Sequence, residues 1–343
     1  MPFKAVDVLG FSVVTDYEGM FREAGVEVEL ARNFCSLDAG EDDIIRAVGD
    51  GDAVIAQATY QPFSRKVLSS LPNCKFIISV GIGYDKLDID AANDCCIMAA
   101  NVPDFCLEEV SDHTMALILA CTRRVVELSN WVKEKGWKAQ PDPEIGGQVW
   151  PKMWKLRGRT LGLIGFGRIP YALLPKTKGF GLRIIVHDPF LSREELKSCG
   201  VEPVSLDELL EQSDIVSIHT PFSAATTHLI GLNQLRKMKP TAYLVNTARG
   251  PIVDPDALYT ALTEGLIAGA ALDVTEPEPL PAGSPLLKLD NFIVTAHSAH
   301  AFSSSAPGLA ARPAEEIIRV VRGEWPVGLI NRQIKEAYLK KWG

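Results

Sequence analysis

The chain is predicted to be an α/β protein of two domains, one flavodoxin-like and one a doubly wound parallel Rossmann sheet. Short apolar runs alternate with helix-length stretches from end to end, the pattern of strand–helix–strand units. Runs in the second half are nearly continuous in apolar residues, as strands covered on both faces by helices must be. One of them opens a glycine turn, a helix-length segment, a second apolar run and a closing acid, from Thr160 to Asp188. A length of 343 residues leads to an expectation of two domains, and 47% hydrophobic with 23% charged residues is enough for sizeable cores.

Taken in order, strands are expected at 26–30 (VEVEL), 52–57 (DAVIAQ), 75–80 (KFIISV) and 96–101 (CIMAAN), a smaller first sheet. Asn101-Val-Pro103-Asp reads as a crossover, followed by one long helix capped near Ser111-Asp112. Residues 140–154, rich in Pro, Gly and Trp, are expected to form a loop or arm. Six further strands are expected at 160–166, 183–188, 214–220, 242–248, 269–274 and 291–296. The tail from 310 to 341 is helical in pattern and is expected to return to the first domain.

The Thr160–Asp188 segment is a template for a dinucleotide. Gly165 permits a tight turn, Gly167 lets the backbone approach a pyrophosphate, and the helix beginning at Arg168 and Ile169 offers it N–H groups and a positive dipole end. Asp188, about 20 residues on, can accept hydrogen bonds from ribose hydroxyls and would repel a 2′-phosphate, so the cofactor expected is NAD rather than NADP. Pro170 replaces the usual third small residue, where its missing N–H costs nothing. Pro175 lies deeper and is expected to bend the helix, at about 3 kcal/mol.

A net charge of −8 with no basic run argues against a nucleic-acid or membrane surface. The N-terminus lacks the pattern of a secretory leader, and no membrane span is expected. Seven cysteines without a C-x-x-C read as reduced thiols of a cytoplasmic protein, and the vicinal Cys95–Cys96 falls in an expected core strand. No zinc spacing and no G-x-S-x-G are found. His113, His187 and His219 read as structural.

Three ionisable residues follow strand ends in the second half: Arg249, Glu278 and His297. Ligands of open parallel sheets bind beyond the carboxyl ends of strands, so all three can converge there. A guanidinium can hold a substrate carboxylate in two parallel hydrogen bonds. Histidine can be the general acid/base, and an adjacent carboxylate would fix its tautomer. Together these groups suit reduction of a 2-oxo acid.

The segments NTARGPIVDPDAL, GAALDVTEPEPLP and VTAHSA resemble the D-isomer-specific 2-hydroxyacid dehydrogenase family. Residues 79–92, 101–120 and 156–169 are similar to it as well, so the resemblance runs over nearly the whole chain. It implies Arg249, Glu278 and His297 as the catalytic residues, with Glu276 a nearby decoy. It implies the Ile82 and Gly83 backbone as the binder of the substrate carboxylate, Asp273 as the acid holding the nicotinamide amide, and Thr220, Pro221, Thr247 and Ala248 as lining the cofactor. It also implies a substrate domain of residues 1–102 plus 300–343, a cofactor domain of 103–299 inserted in it, and a homodimer using the 105–155 region. Two positions depart from the family: Ala296 replaces the usual Pro, and His300 stands where an aromatic, often Trp, is common, which bears on the substrate pocket. The 101–120 and 156–169 segments and the C-terminal INRQIKEAYL also resemble the C-terminal-binding-protein branch. That branch implies an alternative, an NAD(H)-responsive binding scaffold with weak catalysis. A formate-type dehydrogenase is disfavoured, because Glu278 stands where that subfamily has an amide.

Overall fold

The computed structural model describes residues 2–137, 143–301 and 305–343. The chain divides into two compact units, Met1–Phe105 with Phe302–Gly343, and Cys106–Ala301.

The first unit is a five-stranded sheet of order β2-β1-β3-β4-β5, parallel throughout. Its strands are β1 (Phe3–Asp7), β2 (Val28–Arg32), β3 (Ala53–Ala56), β4 (Phe76–Ser79) and β5 (Met98–Ala100). The two-residue period of a strand sends alternate side chains to opposite faces. Ala5, Ile55, Phe76 and Ile78 therefore pack with Tyr17, Phe21, Ala314 and Ile317. Their neighbours Val6, Val54 and Ile77 pack with Ile44, Val67 and Leu68 on the other side. Ala314 and Ile317 belong to the returning helix Ser305–Val321, whose Ala310 carbonyl accepts a 2.6 Å bond from the Tyr17 hydroxyl.

Four strands were expected here, and β1 is the fifth. Lys4 and Asp7 interrupt its apolar pattern, yet Asp7 is buried and satisfied. Its carboxylate accepts the N–H groups of Leu9, Gly10 and Ser12 and the Ser12 hydroxyl. Nor do Cys95 and Cys96 lie in a core strand. Cys95 caps a short helix, Cys96 turns the chain at φ 58°, and the strand begins at Met98.

The second unit is a seven-stranded sheet of order β12-β11-β10-β9-β6-β7-β8. Its strands are β6 (Thr160–Ile164), β7 (Arg183–His187), β8 (Glu202–Pro203), β9 (Ile215–Ile218), β10 (Tyr243–Asn246), β11 (Gly269–Leu272) and β12 (Phe292–Val294). All pairings are parallel. The order reverses at β6, which places a topological switch between β6 and β9. Val216, Ile218, Leu244 and Ala270 face one core, and Leu161, Leu163, Ile215 and Val245 the other. Each fully buried aliphatic contributes about 1.5–3 kcal/mol.

Six strands were expected; β8 adds an edge strand two residues long that carries too little pattern to read. The long helix begins at Leu107, earlier than expected, after Cys106 at φ 54°. It ends at Thr122, and a second helix runs Val125–Lys135 after Arg124 at φ 52°. Within the expected arm, Pro143–Gln148 is helical, and the arm's beginning lies outside the described residues. The helix Arg168–Gly179 passes through both prolines. Pro170 lies in the first turn, and Pro175 is on the exposed side, where water can satisfy the Tyr171 carbonyl that the missing N–H abandons. Among the described residues, no helix is long and apolar enough to cross a membrane and no cluster of ligating side chains could hold a metal ion.

Candidate active site

The carboxyl ends of β6, β7, β9, β10, β11 and β12 carry almost every residue singled out in the second unit. At β6, Gly165 adopts φ 87°, and a Cβ there would lie 2.8 Å from the Thr220 nitrogen after β9. Both the turn and the close approach require glycine at this position. A Cβ at Gly167 would meet nothing within 4 Å. Gly167 caps the Arg168–Gly179 helix without a side-chain bond, and Pro170 has no N–H to satisfy. Arg168 and Ile169 thus stand in an uncapped first turn beside open space, which fits a bound pyrophosphate.

Asp188, after β7, is half-buried and already organises this turn. Its Oδ2 accepts the Phe166 N–H at 2.8 Å and its Oδ1 the Phe190 N–H at 2.9 Å. Each oxygen keeps a lone pair for a ribose hydroxyl. The residues present therefore fit NAD. Pro221 lies early in the loop after β9, where its carbonyl takes the Thr226 hydroxyl at 2.9 Å.

After β10 the buried Asn246 shapes the Thr247-Ala248-Arg249 loop. Its Oδ1 accepts the Ala248 N–H and its Nδ2 donates to the Arg249 carbonyl, both at 2.9 Å. The Thr247 hydroxyl meets that of Thr114 at 3.0 Å, and Arg249 Nη1 donates to the Ala248 carbonyl at 2.7 Å. A Cβ at Gly250 would lie 1.9 Å from the Thr275 carbonyl oxygen, so the loops after β10 and β11 touch at a point only glycine can occupy.

Asp273, at the end of β11, is buried and holds the turn after β12. Its Oδ1 accepts the Thr295 hydroxyl and the Ser298 N–H, its Oδ2 the Ala299 N–H, and its backbone carbonyl the His297 N–H. Burial opposes its charge, but these donors and the nearby His113 outweigh it and hold the carboxyl below its usual range. His113 Nε2 lies 3.0 Å from the Thr295 hydroxyl and 3.6 Å from Asp273. Asn246, Thr295 and His113 were not among the site candidates; the NTARG, VTAHSA and 101–120 segments contain them, but only the fold shows what each one touches.

His297, at φ 49°, directs Nδ1 at Glu278 Oε1, 2.6 Å away. Burial would raise the Glu278 pKa, but the hydrogen bond and charge of His297, the Thr275 N–H and the field of Arg249 together hold it below the ordinary carboxylate value. The two side chains remain partly exposed, 31% and 23% for Glu278 and His297. The His300 ring stands edge-on to His297 at 6.0 Å, and burial together with that neighbour lowers its pKa. Glu276 points elsewhere and pairs with His228 at 2.6 Å. His219 is half-buried beside Ser217, where loss of solvation pushes it down to about 3, and His187 Nδ1 lies 3.3 Å from the Val204 carbonyl.

In the first unit, Ile82 and Gly83 follow β4 in a turn entered through Gly81 at φ 111°. The Ile82 carbonyl accepts Asn101 Nδ2 at 2.7 Å, and the Gly83 carbonyl accepts the Ser79 hydroxyl at 2.8 Å. Their own N–H groups donate to no group among the described residues.

Residues 115–299 match the D-isomer specific 2-hydroxyacid dehydrogenase, NAD binding domain. The chain is 42% identical over 293 residues to the glyoxylate reductase of Korarchaeum cryptofilum (strain OPF8), covering 85% of this chain and 86% of that one. A glyoxylate reductase structure from Paecilomyes thermophila superposes with a TM-score of 0.84 at 25% identity, covering 97% of this chain and 99% of that one. The structure of D-lactate dehydrogenase from Aquifex aeolicus, complexed with NAD and lactic acid, gives a TM-score of 0.73 at 27% identity, covering 99% and 97%. These relatives are named as enzymes, which favours catalysis over the binding-scaffold alternative. With a fitting dinucleotide turn and a paired glutamate and histidine at one sheet edge, the chain belongs to the D-isomer specific 2-hydroxyacid dehydrogenase family and is an NAD-dependent oxidoreductase of 2-hydroxy acids.

Proposed function

We propose that this enzyme reduces a small 2-oxo acid, glyoxylate being the first to test, and that larger 2-oxo acids are reduced to the D-2-hydroxy acid. The observation that carries the reading is the 2.6 Å Glu278–His297 bond, on a loop in backbone contact with the Arg249 loop. The hydride for the oxo carbon would come from NADH when it is bound at the Gly165–Asp188 turn. Arg249 holds the substrate carboxylate and polarises the ketone; in the first unit, the Ile82 and Gly83 backbone is assigned to substrate binding. Glu278 engages Nδ1 of His297, and Nε2 is assigned the proton that goes to the developing alkoxide. Glu278 fixes that tautomer and stabilises the imidazolium.

The cofactor is assigned to Gly165, Gly167, Arg168, Ile169, Asp188, Thr220, Pro221, Thr247, Ala248 and Asp273, and His300 to the substrate wall. The first unit then serves the substrate and the second the cofactor. A homodimer is proposed through the second unit, supported by the exposed apolar residues of its 125–150 region. The test of the catalytic assignment is His297→Ala. NADH affinity by calorimetry should be unchanged while glyoxylate turnover falls about 10²–10⁴-fold; turnover at the wild-type rate would remove His297 from the chemistry.

A further inference from the structure

Glu276 and Glu278 are two residues apart and each holds its own histidine, at 2.6 Å in both cases. His297 is the proposed proton donor, whereas nothing in the proposed chemistry uses His228. His228 lies on the chain between β9 and β10 in the left-handed region, φ 49°, which a histidine rarely occupies without a local reason. Its backbone N–H donates to the Pro251 carbonyl at 2.8 Å. Two residues on, Ile230 bridges in parallel to Val253, with the Ile230 N–H on the Ile252 carbonyl and the Asp254 N–H on the Ile230 carbonyl. The backbone of His228 is thereby tied to the loop that begins at Arg249. Its side chain is tied to the loop that carries Glu278.

We propose that the His228–Glu276 pair is a clamp that joins the Arg249 loop to the Glu278 loop and so holds Glu278 against His297, a role that rests on the catalytic reading above. A residue on the Glu278 loop, two positions from the reacting pair, is fixed from outside the site. The loops already touch where Gly250 meets Thr275, so a small displacement of either is passed on to the other. The charged groups facing His228 are Glu276 and Asp254, both acids, and both favour the imidazolium that strengthens the clamp. His228 is thus a positioning residue.

The test uses the full-length protein labelled with nitrogen-15, and follows solvent exchange of the His297 Nδ1–H that bonds Glu278. The signal is identified by its loss in His297→Gln among the six histidines. In His228→Ala and Glu276→Ala this proton should exchange several-fold faster, and kcat for glyoxylate should fall while NADH affinity stays within error. His228→Gln, which can still donate to Glu276, should restore much of both. Should His228→Ala fail to fold, Glu276→Ala breaks the same bond from the other side. Unchanged His297 exchange in the folded variants overturns the clamp, whatever happens to kcat. If exchange responds but the wild type turns over no 2-oxo acid, the catalytic reading falls and the clamp stands.

Discussion

Gly165 and Gly167 are separated by one residue and do different work. Gly165 is demanded by the fold, through φ 87° and the Thr220 backbone 2.8 Å from any Cβ. Gly167 is demanded by nothing in the protein itself, since its Cβ position opens on empty space. Gly165→Ala should therefore lose about 1–3 kcal/mol of stability together with NADH binding. Gly167→Ala should melt within about 0.5 kcal/mol of the wild type yet bind NADH at least about tenfold more weakly. Equal NADH affinity in Gly167→Ala, measured by calorimetry beside thermal denaturation, would show that no ligand approaches there. A second residue-scale consequence concerns acid. Because the Glu278 carboxyl is held below its ordinary value in the folded chain, its charge stabilises the native state fully above that ordinary value. The contribution is lost as pH falls through the lower folded value. Glu278→Gln should therefore flatten the decline of melting temperature between about pH 5 and pH 3. An acid limb as steep as the wild type's would mean that other carboxylates govern it.

Among the elements, the Arg168–Gly179 helix holds a proline where a helix bond is missing. The position is exposed and helical, so Pro175→Ala should supply the absent N–H and improve helix propensity without touching the core. A gain of up to about 3 kcal/mol is expected by thermal denaturation, less whatever the proline contributes by restricting the unfolded chain. No gain at all would mean that the proline is accommodated by local packing. Which elements the sequence discloses follows from what each buries. The strands of the second sheet are legible because both faces are covered, so their apolar runs are almost unbroken. Strand β1 is not, because Lys4 and Asp7 break its run and Asp7 is satisfied by a turn that no period announces. The split at Arg124 is equally silent, since HTMALILACTRRVVELSNWVKE keeps helical composition through a residue at φ 52°. The same contrast governs the site. Arg249, Glu278 and His297 stand at strand ends and can be read from position. The His228–Glu276 bond joins residues 48 apart and depends wholly on how the loops meet.

For the whole molecule, the question is what covers the second unit's exposed apolar side chains. Val125 and Val126 are 55% and 41% exposed in the first turn of their helix, Trp137 is 78% exposed and Trp150 44%. Trp131 on the same helix has a buried Nε1 with no partner among the described residues. Solvent-facing apolar groups of this size are tolerated singly, but a concentration of them in one stretch of chain marks a surface made to be covered. The proposed homodimer covers it with a second copy and needs no other molecule. Putting a charge on each valine would place two unpaired carboxylates in such an interface and forfeit about 1.5 kcal/mol or more of burial at each position. Val125→Glu combined with Val126→Glu should then raise the dimer dissociation constant at least about 100-fold, because 1.4 kcal/mol corresponds to a factor of ten. Sedimentation velocity across a dilution series reads this directly: a dimer for the wild type, a monomer for the double variant. Since both valines lie away from Arg249, Glu278 and His297 in sequence and the fold of the second unit does not bury them, the monomer should remain folded and bind NADH. A wild-type chain that sediments as a monomer at every concentration would overturn the dimer and leave these side chains to a different partner.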